Sequence, residues 1–243
     1  MRIRLAICDE RLPREAELSL MRRGFRVMTL PPSRHLSAPV ASHTDMLLFK
    51  LGDEYISFAD YCDEAPFVFT DLTTLLPGCR VTLTADEVES IHPKDARMNA
   101  LLMGNLLFAR ADSVSEYIKK RCTEGGIRLV PVKQGYPACT TLRLTDRAAI
   151  TADLGMAKAL SENGVSVTVI GNGGISLPPY DYGFIGGCAG VYENTVYFIG
   201  DIDSHPDAER IKNAISALGM TVASLYGGPL LDLGGILFAE GEA

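Results

Sequence analysis

A short apolar run that ends in an aspartate recurs five times along the chain. These runs cover residues 4–9, 55–60, 107–112, 149–153 and 196–201, and their aspartates lie 51, 52, 41 and 48 residues apart. Each run is followed by a stretch of helical character, and then by a glycine that opens a second run with alternating apolar and polar positions. Self-similarity at a period of about 20–50 residues indicates stacked or ring-shaped repeats. The pattern therefore predicts five copies of one strand–helix–strand element.

Each copy then continues through a polar or Gly/Pro-rich loop into a predicted hairpin. The first hairpin strands are predicted at residues 46–49, 101–103, 141–144, 189–192 and 230–233. The turns fall at 52–53, 104–105, 145–146, 193–194 and 234–235, where most residues tolerate the positive φ that two-residue turns require. The return strand of each hairpin is the next aspartate-type strand, so residues 236–239 are predicted as a sixth strand of that type. Closure of the ring would place both termini in the same blade.

The repeating unit is thus strand, strand, helix, strand, and the predicted fold class is α/β. We predict one domain over residues 1–243, with units at roughly 1–52, 53–104, 105–145, 146–193 and 194–243. The second unit is the least regular, because Pro66 and the run 67–70 interrupt its helix and leave only residues 71–76 helical. A doubly wound parallel sheet also alternates strands and helices, but it does not predict a tight hairpin after every crossover.

The five repeated aspartates stand where a strand leads into a helix. There a carboxylate accepts hydrogen bonds from free backbone N–H groups and meets the positive end of the helix dipole. All five occupy the same place in the repeat, as a capping role predicts, whereas a catalytic pair would be local to one or two units. We therefore interpret these residues mainly as structural caps: Asp9, Asp60, Asp112, Asp153 and Asp201.

Composition narrows the classes of function. The formal net charge of −7 argues against a nucleic-acid face and against binding to an anionic membrane surface. No apolar run reaches the ~18 residues of a transmembrane helix. The six cysteines are scattered without a Cys-x-x-Cys pair, which is typical of reduced thiols, and we expect a cytoplasmic protein. Neither zinc-type ligand spacing nor a Walker-type phosphate loop is present, so the sequence predicts no metal and no cofactor.

Short motifs in the second half of the chain carry a family resemblance. They are Gln134-Gly135-Tyr136-x-x-Cys139, residues 149–155, residues 182–187, His205-Pro206 and Leu231-Asp232-x-Gly234. With the five-fold repeat, they resemble the pentein fold, the five-fold pseudo-symmetric α/β-propeller of the guanidine-modifying enzymes, and within it an uncharacterised bacterial family. That superfamily includes arginine and agmatine deiminases, dimethylarginine hydrolases and amidinotransferases. Non-catalytic ribosome anti-association factors share the ring.

The resemblance implies a chemistry with a cysteine nucleophile, a histidine acid/base and carboxylates that grip a guanidinium. A planar cation favours bidentate carboxylates, and its carbon is attacked by a thiolate. The segment that begins His43-Thr44-Asp45 resembles the deiminase motif His-x-Asp-x-x-Phe, so His43 and Asp45 are candidate catalytic residues. Residues 227–231 resemble Gly-Gly-Pro-Arg-Cys, but Leu231 stands where that motif has its nucleophile.

Two other cysteines are candidate nucleophiles, because aligning the hairpins on their turns places both near the start of a first hairpin strand. Cys139 aligns with Met46, and Cys188 lies one step further along. Both are also compatible with a role as small apolar fillers in a crowded ring. The candidate ligand-binding residues flank these positions or lie in and beside Gly-rich crossover loops: Tyr136, Asp153, Tyr182, Gly186, Gly187, Gly228 and Asp232.

These residues leave three functional classes open. The first is a Cys-dependent hydrolase or transferase that acts on a small guanidino or amidino compound. The second is a non-catalytic ring that binds a small ligand or a protein partner, which the leucine at position 231 favours. The third is a carbon–nitrogen hydrolase that uses carboxylates without cysteine, and no motif singles it out. Neither the substrate nor the oligomeric state follows from the sequence.

Overall fold

The computed structural model describes residues 2–242, with the side chain of residue 2 excepted. The strands are β1 (Arg2–Asp9), β2 (Arg26–Leu30), β3 (Phe49–Leu51), β4 (Glu54–Phe58), β5 (Arg80–Thr84), β6 (Leu101–Met103), β7 (Leu106–Ala109), β8 (Arg128–Pro131), β9 (Thr141–Thr145), β10 (Ala148–Thr151), β11 (Ser166–Val169), β12 (Ile175–Ser176), β13 (Ala189–Tyr192), β14 (Thr195–Phe198), β15 (Thr221–Ser224), β16 (Leu230–Leu231) and β17 (Leu237–Glu242). The helices are α1 (Arg14–Arg22), α2 (Thr44–Leu47), α3 (Ala59–Glu64), α4 (Pro66–Leu75), α5 (Glu116–Glu124), α6 (Pro137–Thr140), α7 (Leu154–Glu162) and α8 (Ala208–Ser216). Within residues 2–242, every helix is too short or too polar to cross a membrane.

Five three-stranded sheets repeat one arrangement, in which a central strand pairs antiparallel on one side and parallel on the other. The strand orders are β17-β1-β2, β3-β4-β5, β6-β7-β8, β9-β10-β11 and β13-β14-β15. Tight hairpins join four of the antiparallel pairs, and at least one helix lies between the two strands of every parallel pair. The α/β class with repeated strand-strand-helix-strand units is therefore confirmed. A single doubly wound sheet does not describe these separate sheets.

The antiparallel strands β3, β6, β9, β13 and β17 surround a central cavity of about 480 Å³. We call them the inner strands. The cavity wall is mixed, with apolar side chains such as Phe49, Leu142 and Phe238, while Lys50 and Arg143 also line it. Strand β9 contacts both β6 and β13, and β13 also contacts β17. The five sheets therefore form a ring with the inner strands at its centre.

The first and last strands close this ring, because β17 pairs antiparallel with β1. Both ends of the described chain thus lie in one sheet, as predicted. The predicted hairpin between residues 230–233 and 236–239 is wrong, since β16 pairs in parallel with β12 instead. Gly234 and Gly235, at φ 69° and 76°, turn the chain so that β17 becomes the inner strand of the first sheet. The described residues therefore contain five aspartate-type strands, and the predicted sixth is an inner strand.

Two local predictions fail because a helix forms where another conformation was expected. Residues 46–49 are predicted as a strand, but α2 extends to Leu47 and only Phe49 enters β3. In the second unit, α3 is followed directly by α4, so the helix is not confined to residues 71–76. Pro66 lies in the first turn of α4, where a proline loses no helical hydrogen bond. It therefore starts a helix and does not interrupt one.

The five repeated aspartates do not share one role. Asp153 caps α7 by accepting from the backbone N–H three residues later at 2.7 Å. Asp201 caps a 3₁₀ turn by accepting from the backbone N–H two residues later at 3.0 Å. Asp60 lies inside α3 and Asp112 lies in a turn, and both side chains are largely exposed. Asp9 is fully buried, binds the Arg11 guanidinium and accepts from the backbone N–H of Arg11 at 2.8 Å, but α1 begins only at Arg14. None of these last three residues is the N-cap of a helix, so the helix-capping prediction is wrong for them.

A buried carboxylate joins the second and third sheets. Glu54, the first residue of β4, is 2% exposed and accepts from Arg80 and Thr82, each at 2.7 Å. Tyr117 and Arg121 of α5 donate to it from 2.8 and 3.1 Å. Burial raises the pKa of Glu54, but the hydrogen bonds from Thr82, Tyr117 and Arg121 outweigh burial and hold the pKa below its usual value. Each carboxylate oxygen has two donors, so this charge is fully satisfied.

Candidate functional site

The segments that lead into the inner strands meet at one end of the central cavity. Helix α2 leads into β3 and carries Asp45, with His43 directly before the helix. Helix α6 leads into β9 and carries Cys139. Asn99 precedes β6, and Asp232 follows β16 just before the turn into β17. Side chains separated by 94 residues, those of Asp45 and Cys139, come into contact here.

The central contact joins Cys139 and Asp45. The Cys139 thiol donates to Asp45 Oδ2 across 2.6 Å, and the amide nitrogen of Asn99 lies 3.4 Å from the same sulfur. Asn99 Oδ1 accepts from the backbone N–H of Ala138 at 2.9 Å, which orients the amide. Pro137 starts the single turn of α6, where its fixed φ suits a helix start. The sulfur is therefore held between a carboxylate and an amide.

His43 completes this group, which we call the His–Asp–Cys cluster. One donor atom from each of His43, Asp45 and Cys139 lies within 4.8 Å of the other two. The imidazole side chain is 1% exposed, and its Nδ1 lies 3.9 Å from Asp232 Oδ1. Neither ring nitrogen has a hydrogen-bond partner of ordinary geometry, and the same is true of Asp45 Oδ1. The cluster therefore has unused hydrogen-bonding capacity in a buried place.

Asp232 is held beside His43 by backbone donors. Its Oδ2 accepts from Phe184 N at 2.8 Å, and its Oδ1 accepts from Gly234 N at 3.2 Å. A Cβ on Gly187 would lie 1.9 Å from Asp232 Oδ1, and a Cβ on Gly234 would lie 2.5 Å from the Cβ of His43. These two positions require glycine because the backbone approaches the cluster too closely for any side chain.

Asp9 and Arg11 form a charged pair whose field reaches the cluster. Arg11 donates to both oxygens of Asp9, from Nε at 2.9 Å and from a terminal nitrogen at 2.5 Å. The charge of Asp9 raises the pKa of His43, whereas the charge of Arg11 lowers it. Arg11 also lowers the pKa of Asp232. One guanidinium therefore offsets only part of the negative charge that three aspartates can place here.

Burial dominates the protonation states of the cluster. It lowers the pKa of His43 to about 4 and raises the pKa of Asp45 to about 8, although the bond from Cys139 opposes the shift at Asp45. Burial also raises the pKa of Asp232 to about 6 and the pKa of the Cys139 thiol well above its usual range. At neutral pH the thiol and the imidazole are therefore uncharged. A bound cation would favour the ionised carboxylates and the thiolate.

Cys188, the other candidate nucleophile, lies apart from the cluster. Its thiol donates to the carbonyl of Ile185 at 3.3 Å, and its side chain packs in an apolar core that includes Phe198. Burial raises the pKa of this thiol well above its usual range. The surroundings are those of a small apolar filler, the alternative that the sequence left open.

The candidate ligand residues around the cluster divide between two places. Gly186 borders the cluster, because a Cβ there would lie 2.1 Å from the carbonyl of Ala138. Asp153 and Tyr182 line a second cavity, of about 390 Å³, together with Phe184. Phe184 contacts Asp232 through its backbone N–H, so one short segment borders both the cavity and the cluster.

Tyr136 and Gly228 are directed elsewhere. The Tyr136 hydroxyl donates to Asp95 at 2.6 Å, and a Cβ on Gly228 would meet the ring of Tyr226 at 2.2 Å. The Gly228 carbonyl accepts from the backbone N–H of Asp201 at 2.8 Å. Tyr136 also packs against the apolar core that includes Met46.

Sequence reasoning overlooked Asn99 and Arg11 and interpreted Asp9 as a cap. The register of the inner strands contained a signal for Asn99, because it stands two residues before β6 as Cys139 stands two residues before β9. The signal for Asp9 was Arg11 itself. Among the five repeated aspartates, only the first has a basic residue two positions later.

Solved structures of guanidino-modifying enzymes are similar to this chain over most of its length. A dimethylarginine dimethylaminohydrolase in an adduct with 4-chloro-2-hydroxymethylpyridine matches with a TM-score of 0.57 and 12% identity, covering 92% of each chain. A cysteine-to-serine mutant of the Pseudomonas aeruginosa enzyme, complexed with citrulline, matches with a TM-score of 0.56 and 12% identity over 91% of this chain and 90% of that chain. An amidinotransferase of saxitoxin biosynthesis from Microseira wollei matches with a TM-score of 0.55 and 13% identity, covering 88% of this chain and 76% of that chain. These likenesses show the pentein fold and confirm the predicted fold class.

Sequence comparison places the chain beside proteins whose activity is not known. The model of the Family of unknown function (DUF6873) matches residues 7–237, almost the whole chain. No curated protein matches the sequence. The predicted resemblance to an uncharacterised family with the pentein fold is therefore confirmed.

Proposed function

The chain belongs to this family of unknown function and has the pentein fold, and from that premise we propose that it is a Cys-dependent hydrolase or transferase for a small guanidino or amidino compound. The observation that carries the proposal is the 2.6 Å contact between the Cys139 thiol and Asp45, with His43 in the same group. A nucleophile, a carboxylate and an acid/base are the three side chains that this chemistry needs. The fold alone would not be sufficient support, because one fold hosts many activities.

The substrate class follows from the unused acceptors and their charge. A guanidinium or amidinium group is planar, carries one positive charge and donates several N–H bonds, which suits carboxylates in a buried site. Asp45 Oδ1 and the His43 ring nitrogens are buried without partners. A cation at this position ionises Asp45 and Asp232 and lowers the pKa of the Cys139 thiol, because its charge stabilises each negative form. Binding itself would therefore activate the nucleophile.

The first chemical step joins Cys139 to the amidine carbon. The thiol proton moves to Asp45 across the 2.6 Å contact while sulfur forms a bond to the central carbon of the cation. The tetrahedral adduct then breaks its carbon–nitrogen bond, and the proton on Asp45 passes to the departing amine. The product is a cationic thiourea-type adduct on Cys139.

The second step releases the adduct. His43 is uncharged at neutral pH because burial lowers its pKa to about 4, so it can accept a proton from the attacking water. A carbon–oxygen bond forms, the carbon–sulfur bond breaks, and the proton on His43 returns to the sulfur. The second proton of the water is released to solvent, so that a neutral urea or amide leaves. A transferase would follow the same course with an acceptor amine in place of water.

The burial of Cys139 supports a second candidate, a ring that binds a cationic ligand without reacting with it. The Cys139 residue is 4% exposed, and burial holds the pKa of its thiol well above the usual range. Reactive cysteines usually have a lowered pKa and partial exposure. Binding without chemistry would use the same acceptors of Asp45 and Asp232.

Labelling with 2-chloroacetamidine tests the proposed enzyme. The full chain is treated in the presence of a chelator with this cationic probe or with neutral 2-chloroacetamide, and each cysteine is followed by mass spectrometry. The ratio of the two rates isolates the preference for a cation. We expect the ratio of the amidine rate to the amide rate to be at least about tenfold higher at Cys139 than at half-buried Cys62, the equivalent of about 1.4 kcal/mol.

Two variants separate the cluster from general reactivity. Asp45→Asn removes a negative charge at nearly constant shape and should bring the Cys139 ratio close to the Cys62 ratio. Cys188→Ser, outside the cluster, should leave the Cys139 ratio unchanged. Equal ratios at Cys139 and Cys62 in the unaltered chain would exclude the enzyme and leave the binding ring.

A further inference from the structure

The His–Asp–Cys cluster also has the donor set of a divalent-metal site. A thiol sulfur, an imidazole nitrogen and a carboxylate oxygen lie within 4.8 Å of one another. They come from two short helical segments that are far apart in the sequence, so the ligands do not have the close spacing of a zinc motif. The ring assembles them because α2 and α6 both lead into inner strands.

The unpartnered atoms of the cluster give an independent indication. The His43 side chain is 1% exposed, yet neither of its nitrogens has a hydrogen-bond partner of ordinary geometry. Buried polar atoms without partners are uncommon because they lose their bonds to water and gain none in return. A neutral imidazole has a lone pair on one ring nitrogen, and this lone pair is what binds a metal.

We propose that His43, Asp45 and Cys139 bind a single Zn²⁺ ion, which competes with the cationic substrate for the same groups. This assignment goes beyond the proposed function, because it needs no reaction at Cys139. Sulfur, nitrogen and carboxylate oxygen together favour zinc over the harder cations Mg²⁺ and Ca²⁺, which select oxygen ligands. A thiolate and a carboxylate balance the two positive charges of the ion.

The geometry requires one small adjustment. Ligands of tetrahedral zinc at about 2.0–2.3 Å from the metal stand roughly 3.5 Å from each other. Cys139 Sγ and Asp45 Oδ2 are 2.6 Å apart because a proton joins them. Zinc would replace that proton, and the two atoms would separate by about 1 Å. The other distances in the cluster lie within 4.8 Å, so the same adjustment would shorten each of them by at most about 1.3 Å.

Asp232 supplies the outer contact that metal-binding histidines usually have. Its Oδ1 lies 3.9 Å from His43 Nδ1, and backbone donors fix the carboxylate. A small rotation of the imidazole would let Nδ1–H donate to this oxygen and leave Nε2 for the metal. Asp45 also lines the central cavity, so a fourth ligand such as water could reach the ion from there.

Cobalt substitution tests this site without any catalytic readout. The chelator-treated full chain is titrated with Co²⁺, and its absorption spectrum reports sulfur-to-cobalt charge transfer and tetrahedral d–d bands. Calorimetry with Zn²⁺ gives the stoichiometry. We expect one ion per chain, a charge-transfer band, and displacement of cobalt by zinc.

Variants assign the ligands. Cys139→Ser should abolish the charge-transfer band and weaken zinc binding at least about 100-fold, the upper range for loss of an outer-shell contact. Asp45→Asn should weaken binding while keeping the native circular-dichroism spectrum, which guards against an unfolded variant. Cys188→Ser should change neither the spectrum nor the affinity. Binding with more than one ion per chain, no charge-transfer band, or a band that persists in Cys139→Ser would overturn the assignment.

Zinc and the amidine probe distinguish this proposal from the enzyme proposal. Zinc should suppress labelling of Cys139 by 2-chloroacetamidine and leave labelling of Cys62 unaltered. Cation-selective labelling in a chelator, combined with no metal binding, would refute the zinc site alone. Stoichiometric cobalt binding through Cys139 with no cation-selective labelling would refute the enzyme alone.

Discussion

Glu54 and Asp45 place carboxylate oxygens inside two different regions of the molecule, and these regions treat the carboxylate in opposite ways. Glu54 has two donors for each oxygen, and its pKa is held below its usual value despite burial. Asp45 accepts from the Cys139 thiol on one oxygen, while its other oxygen has no partner. Burial therefore prevails at Asp45 and raises its pKa to about 8.

The difference separates a structural carboxylate from a functional one. The hydrogen bonds to Glu54 hold two sheets together, and they occupy both of its oxygens, so that no acceptor is left for a ligand. Asp45 is incompletely satisfied, and so are the His43 ring nitrogens nearby. Perturbed acids of this kind gather at sites where a ligand completes the bonding. Measurements of stability can sharpen this distinction residue by residue.

Removing the satisfied charge should have the largest effect. Glu54→Gln removes the anionic partner of Arg80 and one of the two anionic partners of Arg121, and it turns one acceptor into a donor that faces other donors. We expect the free energy of unfolding at pH 7 to fall by about 2–3 kcal/mol, as measured by urea denaturation. The folded pKa of Glu54 is depressed, so its contribution is present above the unfolded pKa and is lost as the pH falls through the folded pKa. The two proteins should therefore converge in acid.

Glu124→Gln is the matched control for this variant. Glu124 also binds Arg121, at 3.1 Å, but its side chain is half exposed. An exposed pair of this kind contributes less than about 0.5 kcal/mol. Equal losses in the two variants would contradict the structural role assigned to Glu54.

Removing the unsatisfied charge should have a smaller effect of the opposite sign. The folded pKa of Asp45, about 8, lies above its ordinary value of 3.8, so the folded chain keeps a proton that the unfolded chain releases in this window. The stability that this proton provides is lost as the pH rises from 3.8 to about 8. Asp45→Asn should therefore be more stable than the native chain by about 1–2 kcal/mol at pH 8, and about equal to it at pH 4.

Thermal unfolding in a chelator, at several pH values between these limits, measures that difference. The amide of Asp45→Asn can still accept from the Cys139 thiol, so the packing of the cluster should persist. A difference in stability that does not change with pH would mean that Asp45 is ionised in the folded chain, and the contrast with Glu54 would fail.

The smallest effect should come from a carboxylate that is satisfied but only partly buried. Asp153 caps α7 and also accepts from Gln134 at 2.6 Å. Asp153→Ala should lower the free energy of unfolding by about 1 kcal/mol, the usual contribution of an N-cap. Asp60→Ala is the control, because Asp60 is in the first turn of α3 without being its N-cap, and its largely exposed carboxylate should contribute only about 0.3 kcal/mol through the helix dipole. Similar losses in the two variants would restore one shared role for the repeated aspartates.

The repeat could be predicted from the sequence because its signals are local. Apolar runs that end in aspartate, and glycines at the ends of helices such as Gly164 at φ 80°, mark each unit without reference to the rest of the chain. Pairing over long distances leaves no such mark. Gly234-Gly235 looks like a hairpin turn in the sequence, and only the structure shows β16 paired with β12.

The candidate site was predictable to the extent that it follows the repeat. His43 and Asp45 were candidates because their segment resembles a deiminase motif, and Cys139 was a candidate because it aligns with the start of an inner strand. The structure brings the three together. Asn99 has the same position before β6, but an asparagine in a loop carries no recognisable chemical motif. Whether both oxygens of a buried carboxylate have donors, as in Glu54, or only one has, as in Asp45, depends on residues far away in sequence. That property decides between a structural and a functional role.

The pairing of β1 with β17 has a consequence for synthesis on the ribosome. Four sheets are made from continuous segments, at residues 49–84, 101–131, 141–169 and 189–224, so each can form soon after its own residues emerge. The first sheet cannot, because its central strand is made first and its inner strand last. During translation the edge of β1 that later pairs with β17 therefore stays unpaired. Until β17 has been synthesised, other chains can pair with this edge.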